Sequence, residues 1–531
     1  MVSGSGTSKT SLFYQVVPAL ILILIIAGTA QRALWVDEVM AMVNYPMRSI
    51  VGLFDPLPYY SQAAPPLFNL LCSAAALLPP VAGRLLLALF VMAGLFWAVA
   101  RAYGPRLALP AIALLSGLVP ALTIYATELK FYGLEMAGVA IIIAWFLTKS
   151  RRAPFGGVDV LILAGAMICG LSSVLIAGIT VALWAGLAFA RRRRLAPSEL
   201  AWAALLALLA VGYYALIQRG TTIQMHNFPN AYGLEGIDVA KLFSLSIYRL
   251  FGNRTILIAI VLLINLADYR SAGTQKLFAI IAAVLLVCAI LAAVGLYPAI
   301  APRHVAWANA FALMLVANAL RFLIGALPRL DRTKRIAVML PLAGIAVAAT
   351  GVTAIKATTM HFTTEDNGRL VAWLAKPRTE PIGLWAGTQP VIEYYSAYEP
   401  AIKRNRYFGT TNRRSARIPN EFLTEDFLDE PHDEIGDVIE ARRDDPGGYD
   451  LRVIYLMVQN DRPPADALIA EAPRDTPFFI ATSHADWESP LSFSRQSRTA
   501  LVGALDAADC SHALELQGKE IFVLKATCPA S

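Results

Sequence analysis

The chain has 531 residues, 57% of them apolar, with a mean hydropathy of +0.56. That excludes an ordinary soluble domain, and apolar runs of about 18–20 residues recur, each long enough to cross a bilayer core. The net charge of +7 is divided unevenly: residues 1–355 hold 26 Lys/Arg against 11 Asp/Glu, and residues 356–531 hold 19 against 27. The basic excess therefore sits mostly in short loops between apolar runs, where it sets membrane orientation, and no nucleic-acid partner is expected.

In chain order, "MVSGSGTSKTS" reads as a short tail. The run from Leu12 to Ala30 lacks a small-residue cleavage site and is expected to be a retained span rather than a removed signal. Further spans are expected at about 84–101, 107–125, 129–148, 158–173, 174–190, 198–217, 255–269, 277–297, 305–325 and 336–355. The run "PPLFNLLCSAAALLPP" (65–80) is short for a span and suits a re-entrant or interfacial helix. With 65–80 not crossing, the loops holding Arg101/Arg106, Lys149/Arg151/Arg152, Arg191 to Arg194, Arg270/Lys276 and Arg321 to Arg335 all face one side. The positive-inside rule makes that side the cytoplasm, with the N-terminus in and everything after 355 out. Arg191 to Arg194 could be read as a lipid or RNA patch, but a positive-inside stop signal accounts for it. "GLSS" (170–173) is the expected turn of a tight hairpin.

The acidic tail 356–531 is long enough for a soluble domain. "PIGLWAG" (381–387) and "LRVIYLMVQ" (451–459) read as buried strands, while "RLVAWLAK" (369–376) and "ADALIAEA" (465–472) have helical spacing. Two alternating runs around Gly518-Lys519 signal a hairpin, which brings Cys510 and Cys528 opposite each other. A disulfide there suits an oxidising outer compartment, with two free thiols as the alternative. Cys72, Cys169 and Cys288 lie in apolar segments as packing residues. The expected architecture is thus a polytopic α-helical membrane protein of about 11–13 transmembrane helices. Residues 1–355 form the membrane domain, with an outer loop 31–64, and a soluble α/β domain occupies 356–531.

Ionisable groups near a membrane are costly and tend to be functional, so elimination is informative. Of the acids in 1–355, Asp159, Glu199, Asp268 and Asp331 sit beside basic clusters and are expected to be solvated loop residues. Glu135 lies just inside a span, and Glu235 and Asp238 lie in a longer external loop. Asp37, Glu38, Asp55 and Glu128 remain, where outer loops meet the bilayer. Asp37-Glu38 follows the interface residue Trp35 and could simply start a helix. On the same face lie Lys130, in "TELKFYG", and Arg303-His304, in "APRHV". Glu128, Lys130 and Tyr132 alternate if extended and diverge if helical. A carboxylate base with cations at one rim suits transfer of a group from a lipid-phosphate donor. The base accepts a proton from an acceptor hydroxyl, and the cations stabilise the departing phosphate. Tyr60 and Gln62 are further polar contacts in the aromatic, proline-rich loop.

An acidic pair after the first span, a proline pair opening the next apolar run, an E-x-[RK]-x-Y element and a later outer Arg together resemble the GT-C superfamily of membrane glycosyltransferases. The pattern is similar to bacterial relatives of dolichyl-phosphate-mannose protein mannosyltransferases, including lipid A aminoarabinose and galacturonic acid transferases, over roughly residues 10–355. The resemblance implies an inverting enzyme of the bacterial inner membrane that uses a polyprenyl-phosphate sugar on the outer face. It implies Asp37 as base with Glu38 beside it, Glu128, Lys130 and Tyr132 as the second element, and Arg303, next to His304, as the later cation. The acceptor would be a glycan, a lipid or a protein. Two departures stand out: Lys130 occupies a position that often holds Arg, and "SQAA" precedes Pro65-Pro66 where a His or an acid is common. No cofactor is required, two acids are too few to argue a metal site, and a divalent cation stays open because some relatives bind one. The alternative is a transporter or flippase for a lipid-linked glycan, which should show inverted repeats and mid-membrane charges; a third is a membrane-anchored binding module.

Overall fold

A computed structural model describes residues 7–45, 52, 57, 64–150, 152–192, 194–227, 237–294, 296–297, 302–363, 365–386, 388–408, 464–483 and 493–530. The chain forms two compact units. One comprises 1–31, 64–218 and 231–362; the other comprises 32–63, 219–230 and 363–531. The segment following the first apolar helix therefore belongs with the C-terminal part of the chain, a placement that hydropathy does not reveal.

The first unit is helical. It begins with α1 (Thr7–Ala30), and α3 (Pro66–Ala75), α4 (Pro80–Tyr103), α5 (Pro105–Leu118), α6 (Ala121–Thr127), α7 (Tyr132–Thr148), α8 (Gly157–Met167), α9 (Leu171–Arg192) and, as far as Gln218, α10 (Pro197–Asn227) follow. Helices Ile237–Phe251, Thr255–Ala267, Ala272–Ala293, Ala308–Ala326 and Arg332–Met360 complete it. Among the described residues six helices are long and apolar enough to cross a membrane, or up to eight if each bent pair is one span, and four more apolar helices are shorter. The protein is a multi-pass membrane protein. Helix α3 has ten residues, about 15 Å at 1.5 Å per residue, roughly half a bilayer core. Pro66 at its first position supplies a preset φ where no N–H is needed.

Small residues set the helix crossings, as expected where apolar lipid gives no hydrophobic drive to associate. A Cβ on Gly94 of α4 would come within 2.9 Å of the Ala137 methyl on α7. Helices α5 and α6 meet at 104°. Pro120, preceding α6, cannot donate to the turn before it, so the helix breaks there. The carbonyls freed at the end of α5 are taken up by side chains: Arg254 donates to Gly117 and Leu118, and Thr353 Oγ1 donates to Gly117 at 2.8 Å. A broken helix at membrane depth requires such internal satisfaction.

The second unit contains the short helix α2 (Val36–Met42) and a five-stranded sheet of order β2-β1-β3-β5-β4. The strands are β1 (Ile382–Ala386), β2 (Tyr407–Phe408), β3 (Phe478–Ser483), β4 (Ser511–Gly518) and β5 (Ile521–Thr527). β2, β1 and β3 are parallel; β5 and β4 are antiparallel to their neighbours, with Ile382 opposite Phe479 and Phe479 opposite Lys525. β3 alternates sides: Phe478 and Ile480 pack with Leu468, Leu501 and Leu505, while Phe479 and Ala481 pack with Leu370, Trp373 and Val391. Helices thus cover both faces, which is why β3 is buried along its whole length. The expected helices appear as Asn367–Leu374 and Pro464–Ala470, the strand 381–387 as β1, and the terminal hairpin as β4–β5, closed by a Cys510–Cys528 disulfide. The expected strand 451–459 lies outside the described residues, and β3 and helix Phe493–Ala507 were not foreseen.

One expectation is overturned. Asp159 and Glu199 are not solvated but nearly buried. Asp159 accepts from Lys149 (2.7 Å), Trp145 Nε1 (2.8 Å) and the Gly156 N–H (2.8 Å). Glu199 accepts from Arg192 (2.9 and 3.0 Å) and from the N–H groups of Phe155 and Ala196. Each satisfies backbone donors at or before a helix start while neutralising a cation, so burial is repaid by directed hydrogen bonds.

Candidate functional site

In the first unit, the candidate element lies where α6 turns into α7. Thr127 ends α6, Glu128 is extended (φ −78°, ψ 133°), and α7 begins at Tyr132, so the element "TELKFYG" is neither a strand nor a helix but a tight turn. Gly133 allows it: a Cβ there would stand 2.5 Å from the Tyr125 carbonyl oxygen and 3.0 Å from the Ala126 Cα. Glu128, Lys130 and Tyr132 are 4%, 5% and 7% exposed, so the turn carries its charges inward. Neither Glu128 nor Lys130 is without a partner, as buried charges require.

Aromatic rings line the turn. Tyr132 packs edge-on against Tyr125 (centroids 5.8 Å apart) and lies 4.8 Å from Phe131, which meets Phe68 of α3 at 6.3 Å. Tyr125 is also close enough to Glu128 and to Arg303 for both charges to act on its hydroxyl. The structure thus gathers Glu128, Tyr132 and Arg303 around Tyr125, a residue the sequence reading passed over although it lies three residues before Glu128.

Arg303 and His304 sit in a single 3-10 turn, Pro302–Val305, both half-buried. Tyr297 donates its hydroxyl hydrogen to the His304 carbonyl (2.7 Å) and accepts from Trp307 Nε1 (2.7 Å). Its oxygen is also 3.0 Å from Ser172 Oγ, and the Ser172 N–H donates to Glu135. Glu135 is therefore a structural anchor: through Ser172 and Tyr297 it ties the Arg303 turn to α7 and α9. Arg84, fully buried in the first turn of α4, donates to the last carbonyl of α1, Ala30 (3.4 Å), a helix-end contact with no signal in the local sequence.

In the second unit, Asp37 and Glu38 share the first turn of α2, and their environments differ. Asp37 is part-exposed. Glu38 is fully buried, accepts from the Trp35 N–H (3.3 Å) and pairs with Arg32 (3.7 Å), itself buried. That is the reciprocal arm of a capping arrangement, with the carboxylate at the third helical position returning to the cap N–H. α2 packs on helix Thr388–Tyr395, where burial, then the Tyr398 hydroxyl, and last the Glu38 charge raise the Tyr394 phenol well above its ordinary range. Tyr60 and Gln62 lie outside the described residues, as does Asp55. Among the described residues, no group of three or more His, Cys, Asp or Glu side chains could hold a metal ion.

No family model and no curated protein matches this chain in sequence. Its fold is shared with solved structures. ArnT from Cupriavidus metallidurans bound to undecaprenyl phosphate superposes with a TM-score of 0.51 at 13% identity, covering 98% of this chain and 98% of that one. The apo state of the same protein gives 0.50 at 14%, covering 97% and 98%. At such identity the likeness establishes architecture alone: a multi-helix membrane part together with a sheet-containing C-terminal part.

Proposed function

We propose that the protein is an inverting glycosyltransferase. It would move a sugar from a polyprenyl-phosphate donor to an acceptor hydroxyl on an envelope glycan, lipid or protein. The observation that carries this reading is the buried Lys130 beside Glu128, on the tight turn between α6 and α7 that aromatic rings line, with Arg303 acting on the same Tyr125. Fixed cations in a low-dielectric, aromatic-lined setting suit a lipid phosphate. The whole-length likeness to a protein crystallised with undecaprenyl phosphate supports the same donor class.

Asp37 serves as the base. It takes the proton of the acceptor hydroxyl as that oxygen forms a bond to the sugar C1 on the side opposite the phosphate. The C1–O bond to phosphate breaks, and both its electrons leave with the polyprenyl phosphate. Lys130 and Arg303 stabilise the charge that grows on that phosphate, which is a weak base and needs no acid to depart. Between the two adjacent acids, exposure favours Asp37, because Glu38 is committed to Arg32 and to its own helix start. The protein would act at the outer face of a bacterial inner membrane, with basic loops inside.

The test is turnover of an undecaprenyl-phosphate sugar in proteoliposomes, with products identified by mass spectrometry of envelope glycans. Asp37→Asn should reduce kcat by at least about 10³ while the protein remains folded. Wild-type turnover in that variant would remove Asp37 from the mechanism, and absence of any transfer by the wild-type protein from several such donors would overturn the function.

A further inference from the structure

The backbone that leads into α2 is held by side chains more than 300 residues away in sequence. The Leu34 N–H donates to the Tyr395 hydroxyl (2.9 Å), and the Leu34 carbonyl accepts from Asn367 Nδ2 (2.9 Å). The Val36 N–H donates to Glu365 Oε2 (2.8 Å), and the same oxygen accepts from Asn367 Nδ2 (2.9 Å). Asn367 Oδ1 in turn accepts from the Ser483 hydroxyl (2.7 Å), and Ser483 is the last residue of β3. With Glu38 on the Trp35 N–H, three consecutive backbone donors, at 34, 35 and 36, have specific side-chain acceptors.

This is more apparatus than a seven-residue helix needs. Glu365, Asn367 and Ser483 are each fully buried, and a buried polar cluster is costly unless every member is satisfied. Asn367 commits its amide nitrogen to two acceptors and its oxygen to one donor. The crevice beyond the carboxyl ends of parallel strands is where α/β sheets usually take a ligand. Here a network at the carboxyl end of β3 takes up residues 34–36 of the same chain, and the next residue is Asp37.

We propose that Glu365, Asn367, Ser483 and Tyr395 are positioning residues, through which the C-terminal sheet fixes the stretch 34–36 and so the place of the Asp37 carboxylate. This rests on Asp37 being the base. It gives the C-terminal sheet a role in the chemistry through residues that need not touch substrate themselves. A base displaced by about 1 Å can lose about two orders of magnitude in rate, so such anchoring is worth its buried polar groups.

Asn367→Asp keeps the shape, removes both donors and sets a second carboxylate against Glu365. Glu365→Gln keeps an acceptor oxygen for Val36 and Asn367. In full-length protein reconstituted in nanodiscs, Asn367→Asp should accelerate hydrogen exchange of the peptide 32–42 by about tenfold or more, with strands 478–483 and 521–527 unchanged. Its kcat should fall roughly 10–100-fold with donor KM within about twofold. Glu365→Gln should retain kcat within about threefold, the rescue that marks a hydrogen-bond acceptor rather than a charge. If Asn367→Asp is recovered unfolded, Tyr395→Phe, which removes the acceptor for Leu34, should still raise exchange at 32–42 and lower kcat about threefold. Wild-type exchange at 32–42, or wild-type kcat, in folded Asn367→Asp or Tyr395→Phe overturns the inference. If Asp37→Asn is fully active, the base assignment itself fails. If Asp37→Asn is dead while Asn367→Asp is not, the base stands and the positioning role falls.

Discussion

At one end of the helical unit, where α7 hands over to α8 and α9 to α10, charge is used for closure. Lys149 meets Asp159 at 2.7 Å and Arg192 meets Glu199 at 2.9 Å, each joining a helix end to the start of the next, and Arg321 ties helix Ala308–Ala326 to Asp268 in an earlier junction. At the opposite end, Arg84, Lys130, Arg254 and Arg303 outnumber the buried acids Glu128 and Glu135. Arg84 and Arg254 hold helix-end carbonyls there, and Glu135 holds the Ser172 backbone. Lys130 and Arg303 are the cations to which the proposed function gives the donor phosphate. The difference lies in use: at the first end cation and carboxylate close a junction, and at the second the cations are set among helix-end carbonyls and aromatic rings.

The sharpest way to break that contrast is to exchange its losses. Arg303→Ala should lower turnover by roughly 10²–10³, the range for removing a group that stabilises departing charge, with thermal stability little changed. Lys149→Met should do the reverse: turnover within about twofold, and stability lower by about 1–3 kcal/mol because Asp159 stays buried without its cation. If both variants lose activity equally, the two ends are not functionally distinct. Lys130→Arg, which restores the forked donor common in the resembling family, should remain active where Lys130→Ala does not.

A smaller effect is expected from Gly133→Ala. Its methyl would press on the Tyr125 carbonyl and push α7 away from α6, so turnover should fall about tenfold and stability by about 1–3 kcal/mol. Wild-type kinetics in this variant would mean that the turn tolerates relaxation and that the alignment of Glu128, Lys130 and Tyr132 is not needed.

What could be read in the sequence follows from the range of each interaction. Spans were legible because lipid demands a contiguous apolar stretch, and the Cys510–Cys528 pairing was legible because a hairpin relates its two ends by local geometry. The acidic pair was legible as a helix start, but not which acid turns inward, since that depends on Arg32 being buried beside Glu38. Tyr125, Arg84 and Glu135 gave only weak signals, because their meaning comes from partners on other helices. The anchors of 34–36 gave none: Glu365 precedes a modest helix that Asn367 opens, both look like any helix start, and only the fold brings them to Leu34 and Val36. Asp159 and Glu199 were misjudged for the same reason, as proximity to Arg and Lys in sequence says nothing about burial.

Tyr297→Phe probes the link between α9 and the Arg303 turn at lower cost. It removes the hydrogen bond to the His304 carbonyl and the acceptor of Trp307. The expected outcome is a donor KM raised about three- to tenfold with kcat within about twofold, since the loss loosens the turn without deleting its cation. A kcat loss matching that of Arg303→Ala would instead place the Tyr297 hydroxyl in the chemistry.

The mildest test belongs to the closed end. Asp268 lies between helices Thr255–Ala267 and Ala272–Ala293, where Ser271 Oγ (2.9 Å), Thr274 Oγ1 (2.7 Å) and Arg321 converge on one oxygen. Burial alone would raise this carboxyl, but the hydrogen bonds from Thr274 and Ser271 and the Arg321 charge outweigh it and hold the group below the ordinary carboxylate range. A carboxylate whose folded value is depressed contributes stability above its unfolded value, about 3.9, and loses it as pH falls through the folded one. Asp268→Asn should therefore lower stability at neutral pH by about 1 kcal/mol, an amount kept small because the Arg321 side chain is partly solvated, at 41% exposed. The difference should close as pH is lowered from about 5 towards 3, with turnover at neutral pH unchanged within about twofold. Thermal unfolding of the two proteins in nanodiscs across that range decides it. Curves that stay parallel to pH 3 would show that the Asp268 cluster does not hold its end of the bundle through charge, and the contrast with the Lys130–Arg303 end would then rest on geometry alone.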